Sequence, residues 1–313
     1  MRCLSYFLLM VLIVSGNSLF AQQESGKHYK IDRYESIYLP LGKISFADRL
    51  VSFEVGSPPP IQKFRDSIQC LHEPNYKNYR TPNFLSLGCG GILTVEFTDN
   101  GFMNLPGNDL YIFEVGPSRE AAKVEISANG IDWLYAGKIA GGKSAIDLSD
   151  ENIDQETVFY FLRIIDLKEL CRSKSAGADI DAIGAINSVI KLTINADVLF
   201  DVAKYNLKET AVRILDSLAH NIQKIDKATV LIEGHTDSDG EAAYNMVLSR
   251  NRSISVKNRL SSIFGKDALY DFEIKPYGES KPRVPNNSDA NKQQNRRVEI
   301  TVLPPKDYYE GLK

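Results

Sequence analysis

The feature that most limits how this chain can fold is a change of hydrophobic period near residue 187. Before it, apolar residues come in short β-branched or aromatic runs at 51–55, 92–97, 110–115 and 158–164. Residues 123–127 alternate with period two, and Asn129-Gly130 ahead of Trp133-Leu134-Tyr135 predicts a hairpin turning at Asn-Gly. After it, strand-like runs at 192–200, 229–233, 272–277 and 297–302 alternate with helical patterns. Leu207, Ala211, Ile214, Leu215, Leu218 and Ile222 recur at helical spacing, and 241–263 predicts a second helix. One period cannot serve both halves, and single cores stop growing near 250–300 residues, so a chain of 313 residues divides in two. The expected organisation is multidomain: a polar segment at 22–40, an all-β sandwich over 41–186 and a linker at 187–194. An α/β sandwich of βαβα type over 195–303 and a tail at 304–313 complete it. Pro276 puts its strand at a sheet edge or on a bulge.

The first 21 residues read as a signal peptide rather than a buried helix. Arg2 precedes an apolar run at 7–14, and Ser18-Leu19-Phe20-Ala21 offers a small residue for cleavage after Ala21. The run falls short of the roughly 20 residues a membrane helix needs. Cys3 lies ahead of it, which is not the layout of a lipoprotein anchor. The expectation is export to the periplasm, with no transmembrane segment in the mature chain. With 37 basic against 40 acidic side chains there is no electrostatic case for nucleic acid. Past the cleavage point stand Cys70, Cys89 and Cys171, which allow at most one internal bridge. We pair Cys89 with Cys171, a long loop whose closure contributes roughly 3–5 kcal/mol; three reduced, buried thiols is the rival reading.

The stretch 232–252 carries the chemistry. A strand ends at Glu233, Gly234-His235-Thr236-Asp237-Ser238-Asp239-Gly240 makes a polar loop, and the next helix bears Leu248-Ser249-Arg250-Asn251-Arg252. A carboxylate at a strand end and a guanidinium on the following helix can converge on one zwitterion, the first taking an ammonium and the second a carboxylate. Read alone, Asp237 could equally cap a helix and Arg252 sit exposed on one. These blocks resemble the OmpA-like C-terminal domain shared with peptidoglycan-associated lipoprotein and motility stator proteins. So do Leu199-Phe200-Asp201, Tyr244-Asn245, Tyr277-Gly278-Glu279-Ser280 with Pro282, and Asn295-Arg296-Arg297-Val298-Glu299-Ile300. The resemblance covers nearly all of 195–303. It implies a βαβαβ(α)β fold, a peptidoglycan partner, and Asp237 and Arg252 as the residues that grip diaminopimelate. Thr236 and Asn245 are weaker candidates that shape the loop, and Asn295, Arg296 and Arg297 are expected to fix the last strand. The family's Arg-Ala pair reads Arg252-Ser253 here. His235 has no nucleophile or second base beside it in sequence, and in Asp237-Ser238-Asp239-Gly240 the glycine comes two residues too early for an EF-hand.

The N-terminal half is less legible. Residues 124–133 resemble the strand-turn-strand of discoidin-like jelly rolls, and segments at 97–100, 106–114 and 177–184 resemble β-domains attached to other envelope OmpA-like proteins. Asp109, Glu114, Asp179 and Asp181 could offer oxygens to a structural calcium, or could be turn and capping acids in glycine-rich loops. Trp133 and Tyr135 are core residues or a sugar-stacking platform. No enzyme motif is present, and His28, His72, His220 and His235 are scattered. The leading expectation is a non-catalytic wall-binding protein of the cell envelope and outer membrane, presenting its β-domain to a partner protein or glycan. A structural subunit of a motility or secretion complex is the second.

Overall fold

The computed structural model describes residues 26–311 apart from 33, 82, 117–119, 142–143, 170, 224, 226 and 266–268. The expected signal peptide lies outside the described residues. In the N-terminal part, two antiparallel sheets share one buried cluster. The first runs Arg49–Glu54, Ile92–Glu96, Phe161–Asp166, Ala122–Ser127, Leu134–Ile139 in spatial order. The second runs Ala145–Ile146, Leu110–Glu114, Asp179–Ala185, Leu85–Ser86. Leu93, Val95, Val124, Ile126, Leu162 and Ile164 from the first meet Leu85, Leu110, Ile112, Ile180 and Ile183 from the second. Period-two alternation in the first sheet turns one face to the core and leaves the other only partly covered, with Thr94, Glu125 and Ser127 buried there and Lys123 and Arg163 half-buried. The Asn129-Gly130 hairpin forms, with Gly130 at φ 75° and the Asn129 side chain accepting from the Ile131 and Asp132 amides.

The C-terminal part is a second architecture. Ser188–Asn195, Lys227–His235, Leu269–Gly278 and Arg297–Leu303 form one sheet, with Lys227–His235 parallel to Leu269–Gly278 and every other pairing antiparallel. Helices Glu209–Ile222 and Ala242–Phe264 pack on it through Ala211, Leu215, Ala219, Val256 and Leu260. A parallel pair needs a crossover, and the Ala242–Phe264 helix supplies it. Leu269–Gly278 is an edge strand, and its register slips where Gly234 and His235 face Pro276 and Gly278. Pro276 therefore sits at both an edge and an irregularity.

Two boundaries differ from expectation. Most of the linker expected at 187–194 lies in the sheet strand Ser188–Asn195, because its partly buried apolar residues Ile190 and Ile194 face the C-terminal core. The strand expected at 192–200 stops at Asn195, whose side chain accepts from the Asp197 amide and starts a short helix at Ala196. The two parts are also closely joined. Gly101–Phe102 adds a fifth strand to the α/β sheet by pairing with Ser188–Val189. Leu41 is buried in the C-terminal core, and the polar segment expected at 22–40 carries a hairpin, Lys27–Lys30 with Ser36–Leu39.

Candidate functional site

Close helix–strand packing builds the site. On the Ala242–Phe264 helix, Leu248, Ser249, Arg252, Ser253, Val256 and Leu260 form the buried stripe, so Arg252 points inward rather than to solvent. Gly234 permits the approach: a Cβ there would lie 2.4 Å from the Ser249 carbonyl oxygen and 2.6 Å from Ser253 Oγ. The same contact explains why the residue after Arg252 must be small. Thr236 N donates to Gly278 O at 2.8 Å and Gly278 N to Ser249 Oγ at 3.0 Å, which fixes where the polar loop leaves the sheet.

Asp237 and Arg252 are both buried, at 7% and 4% exposure. Arg252 lies over the Phe200 ring, 5.2 Å from its centroid, and its Nε donates to Lys204 O at 3.0 Å. Burial depresses its pKa, opposed by the nearby Asp197 and Asp237 carboxylates and the Tyr244 hydroxyl. Asp237 Oδ2 accepts from Arg296 Nη1 at 2.7 Å, and Arg296 clasps Asp197 by a two-pronged bond at 3.1 and 2.9 Å. The Asp197 bond, opposed by burial and helped by Asp237, raises the Arg296 pKa. Two acids and two guanidinium groups thus converge in one place, an arrangement matched to a ligand bearing both an ammonium and a carboxylate.

Thr236 is buried, and its hydroxyl has no hydrogen-bond partner within the protein. Asn245 is buried and donates to Glu279 Oε2 and to the carbonyls of Asp237 and Asp239. Arg296, expected to fix the last strand, pairs with Asp237 and Asp197, and Asp197 was not anticipated at all. Asn295 does structural work, its amide bridging residues 283, 284 and 286. Arg297 pairs with Glu299 at 2.6 Å. His235 is buried against the Tyr277 ring at 5.2 Å, with neither ring nitrogen bonded within the protein. Burial first, then the Arg297 charge, depresses its pKa to about 4, so near neutrality it is an uncharged packing group.

In the N-terminal part, Cys89 and Cys171 are bridged, with Cα atoms 5.1 Å apart, and Cys70 is free and buried. The four acids weighed as calcium ligands lie on or beside strands and accept from neutral donors. Asp109 takes the Leu105 and Leu148 amides and the Asn187 side chain at 2.9, 2.8 and 2.6 Å. Asp181 takes the Asn75 and Tyr76 amides, Asp179 the Ser86 and Tyr79 hydroxyls, and Glu114 the Ser144 hydroxyl. Among the described residues no three His, Cys, Asp or Glu side chains are gathered as a metal set. Trp133 stacks on Arg163, whose guanidinium carbon is 4.2 Å from the ring centroid, and Tyr135 is 43% exposed.

Comparison with known proteins places the second architecture. The OmpA family model matches residues 199–296. Over 125 residues the chain is 31% identical to a peptidoglycan-associated lipoprotein of Pseudomonas putida, spanning 40% of this chain and 74% of that one. The chain belongs to the OmpA family. Outer membrane protein A of Bordetella avium is 37% identical over 114 residues, 36% of this chain and 57% of that one, so the OmpA-family part spans little more than half of this relative. The structure of the cell wall anchor of the T6SS from Pseudomonas aeruginosa is 31% identical, covering 39% of this chain and 85% of that one, with a TM-score of 0.33. The discoidin-like reading of the N-terminal part has no counterpart in this family match, which begins at residue 199. Among the described residues no helix is long and apolar enough to cross a membrane.

Proposed function

We propose that this OmpA-family protein is a non-catalytic component of the cell envelope that binds peptidoglycan by gripping diaminopimelate in the stem peptide. The observation that carries the reading is Arg252: a guanidinium 4% exposed, with a backbone carbonyl as its hydrogen-bonded partner, facing a pair of carboxylates. Its direct contacts are that carbonyl and the Phe200 ring, and a buried guanidinium without a carboxylate in hydrogen-bond contact costs several kcal/mol unless a counter-ion completes it. A ligand carboxylate on the Nη edge of Arg252 completes it, while an ammonium between Asp237 and Asp197 shares the acids now held by Arg296. Relatives named as peptidoglycan-associated support the same partner.

Each charge-assisted bond contributes about 1.5–3 kcal/mol net, so a single stem peptide binds weakly, on the order of micromolar to millimolar. Retention comes from rebinding along a dense polymer. The protein acts on the periplasmic side, at the wall and outer membrane, and its jelly-roll-like N-terminal part is presented to a partner protein or glycan. The test is co-sedimentation of the full chain with purified sacculi. Asp237→Ala and Arg252→Ala each weaken binding about ten- to a hundredfold. Unchanged pelleting of a folded double variant would sink the reading.

A further inference from the structure

We propose that Glu279 is a positioning residue for this grip, acting through Asn245; the inference rests on the peptidoglycan reading above. Asn245 is only 2% exposed, so its amide serves the protein rather than the solvent side of the site. Its Nδ2 carries two hydrogens and faces three acceptors: Glu279 Oε2 at 2.7 Å, Asp239 O at 3.1 Å and Asp237 O at 3.3 Å. The short charge-assisted bond to Glu279 takes one hydrogen. The other is divided between two carbonyls, a three-centre arrangement in which neither branch is strong.

An asparagine amide has two orientations related by a half-turn, one presenting NH2 and the other an oxygen. A carboxylate only accepts, so Glu279 reinforces the orientation, already favoured by the two carbonyls, that turns NH2 toward the 237–239 backbone, and its short bond anchors the amide there. The alternative would set Oδ1 against two carbonyl oxygens. The carbonyls so held include that of Asp237 itself, so Glu279 fixes the backbone from which the ligand carboxylate projects. Glu279 can do this because its own position is set: Gly278, in the left-handed region at φ 52°, is tied to Ser249 Oγ and to Thr236 N. From the other side the Asp289–Asn295 helix supplies Lys292, whose Nζ is 2.6 Å from Asp239 Oδ1. The 237–240 loop is held between two supports, of which Glu279 acts on the backbone of Asp237 through Asn245.

The test uses the full chain and a soluble stem tripeptide containing diaminopimelate, with Kd from calorimetry. Glu279→Ala weakens binding about five- to tenfold. Glu279→Gln, which keeps an acceptor oxygen, restores it to within about twofold. Asn245→Ala weakens it similarly, and adding Glu279→Ala to Asn245→Ala weakens it no further, since residues acting as one unit do not add. Glu279→Ala binding as tightly as the native chain, Glu279→Gln as weak as Glu279→Ala, or additive losses in the double variant each overturn the proposal. A native chain that fails to bind the tripeptide overturns the peptidoglycan reading itself, and this proposal with it, which is a different result from native binding unmoved by Glu279→Ala.

Discussion

Two sets of buried acids, one in each part of the molecule, are held in opposite ways; Glu125 of the β part, paired with Lys123 and Arg163, stands apart from its neighbours. In the β part Asp109, Glu114, Glu120 and Asp179 sit among neutral donors or none. Burial pushes Asp109 up to about 6 and Glu114 and Asp179 to about 7. Burial together with the charges of Asp179, Asp166 and Glu114 pushes Glu120 to about 8. In the α/β part the acids meet cations: Asp237 and Asp197 share Arg296, and Glu299 takes both Arg297 and Lys191. For Glu299 burial alone would raise the pKa, but the bonds to Lys191 and Arg297 outweigh it and hold the carboxyl below its usual range. A buried acid is thus a hydrogen-bonding hub at the first set of positions and the partner of a cation at the second. Acids already matched to cations suit the proposed grip on a zwitterion, which is why that grip is proposed for the second region.

Three measurements bear on this contrast, taken from the largest expected effect to the smallest. The β part is stapled covalently, with Cys89 and Cys171 separated by 82 positions in sequence. Loop-closure entropy for that separation gives about 4 kcal/mol, so Cys171→Ser lowers the full chain's stability in urea by roughly that much. Sacculus binding at low temperature is unchanged; loss of binding would mean the two parts do not keep separate roles. Next, Glu299→Gln leaves Arg297, 6% exposed, without its carboxylate, and destabilises by about 3 kcal/mol. The same exchange in the β part has the opposite sign. Glu114→Gln keeps an acceptor for Ser144 while removing a charge that burial disfavours, and stabilises at pH 8 by about 1 kcal/mol. The gain fades on acidification. A carboxyl whose folded pKa is raised contributes stability that is complete below its unfolded value near 4 and is lost as pH rises through the folded value near 7. Melting temperature of the native chain should therefore fall between about pH 5 and 8. Equal, same-signed effects of the two Glu→Gln exchanges would erase the distinction between the regions.

The parts differed in legibility for the same physical reason. Helices Glu209–Ile222 and Ala242–Phe264 and the strands around them announce themselves by period, and the spacing of Asp237 from Arg252 survives folding because a strand end and the next helix are local neighbours. The partners of Arg296 were not legible because it follows a helix and precedes a strand, and only tertiary packing shows that it reaches Asp197, 99 residues away. Asp197 was hidden by assigning 192–200 to one strand; the signal that could have found it is Asn195-Ala196-Asp197, a cap followed by an acid in a first turn. In the β part, strands of two residues such as Leu85–Ser86 and Ala145–Ile146 are too short to show any period. Asp179–Ala185 is buried throughout, so it lacks the alternation that marks a half-exposed strand. Its two acids read as loop residues because nothing local reveals that serine, tyrosine and backbone donors will meet them.

Gly101–Phe102 is a two-residue strand whose pairing with Ser188–Val189 makes one sheet out of residues from both parts. Mechanically, that seam puts the two parts in series. A pull on the β part while the α/β part is held to a rigid polymer would bear on this short ladder, the chain continuing from residue 187 into Ser188, and the Lys281–Glu156 ion pair at 2.8 Å. A tether built this way transmits displacement with little slack, and whatever the β part carries would stand at a set height from the wall rather than drifting on a leash.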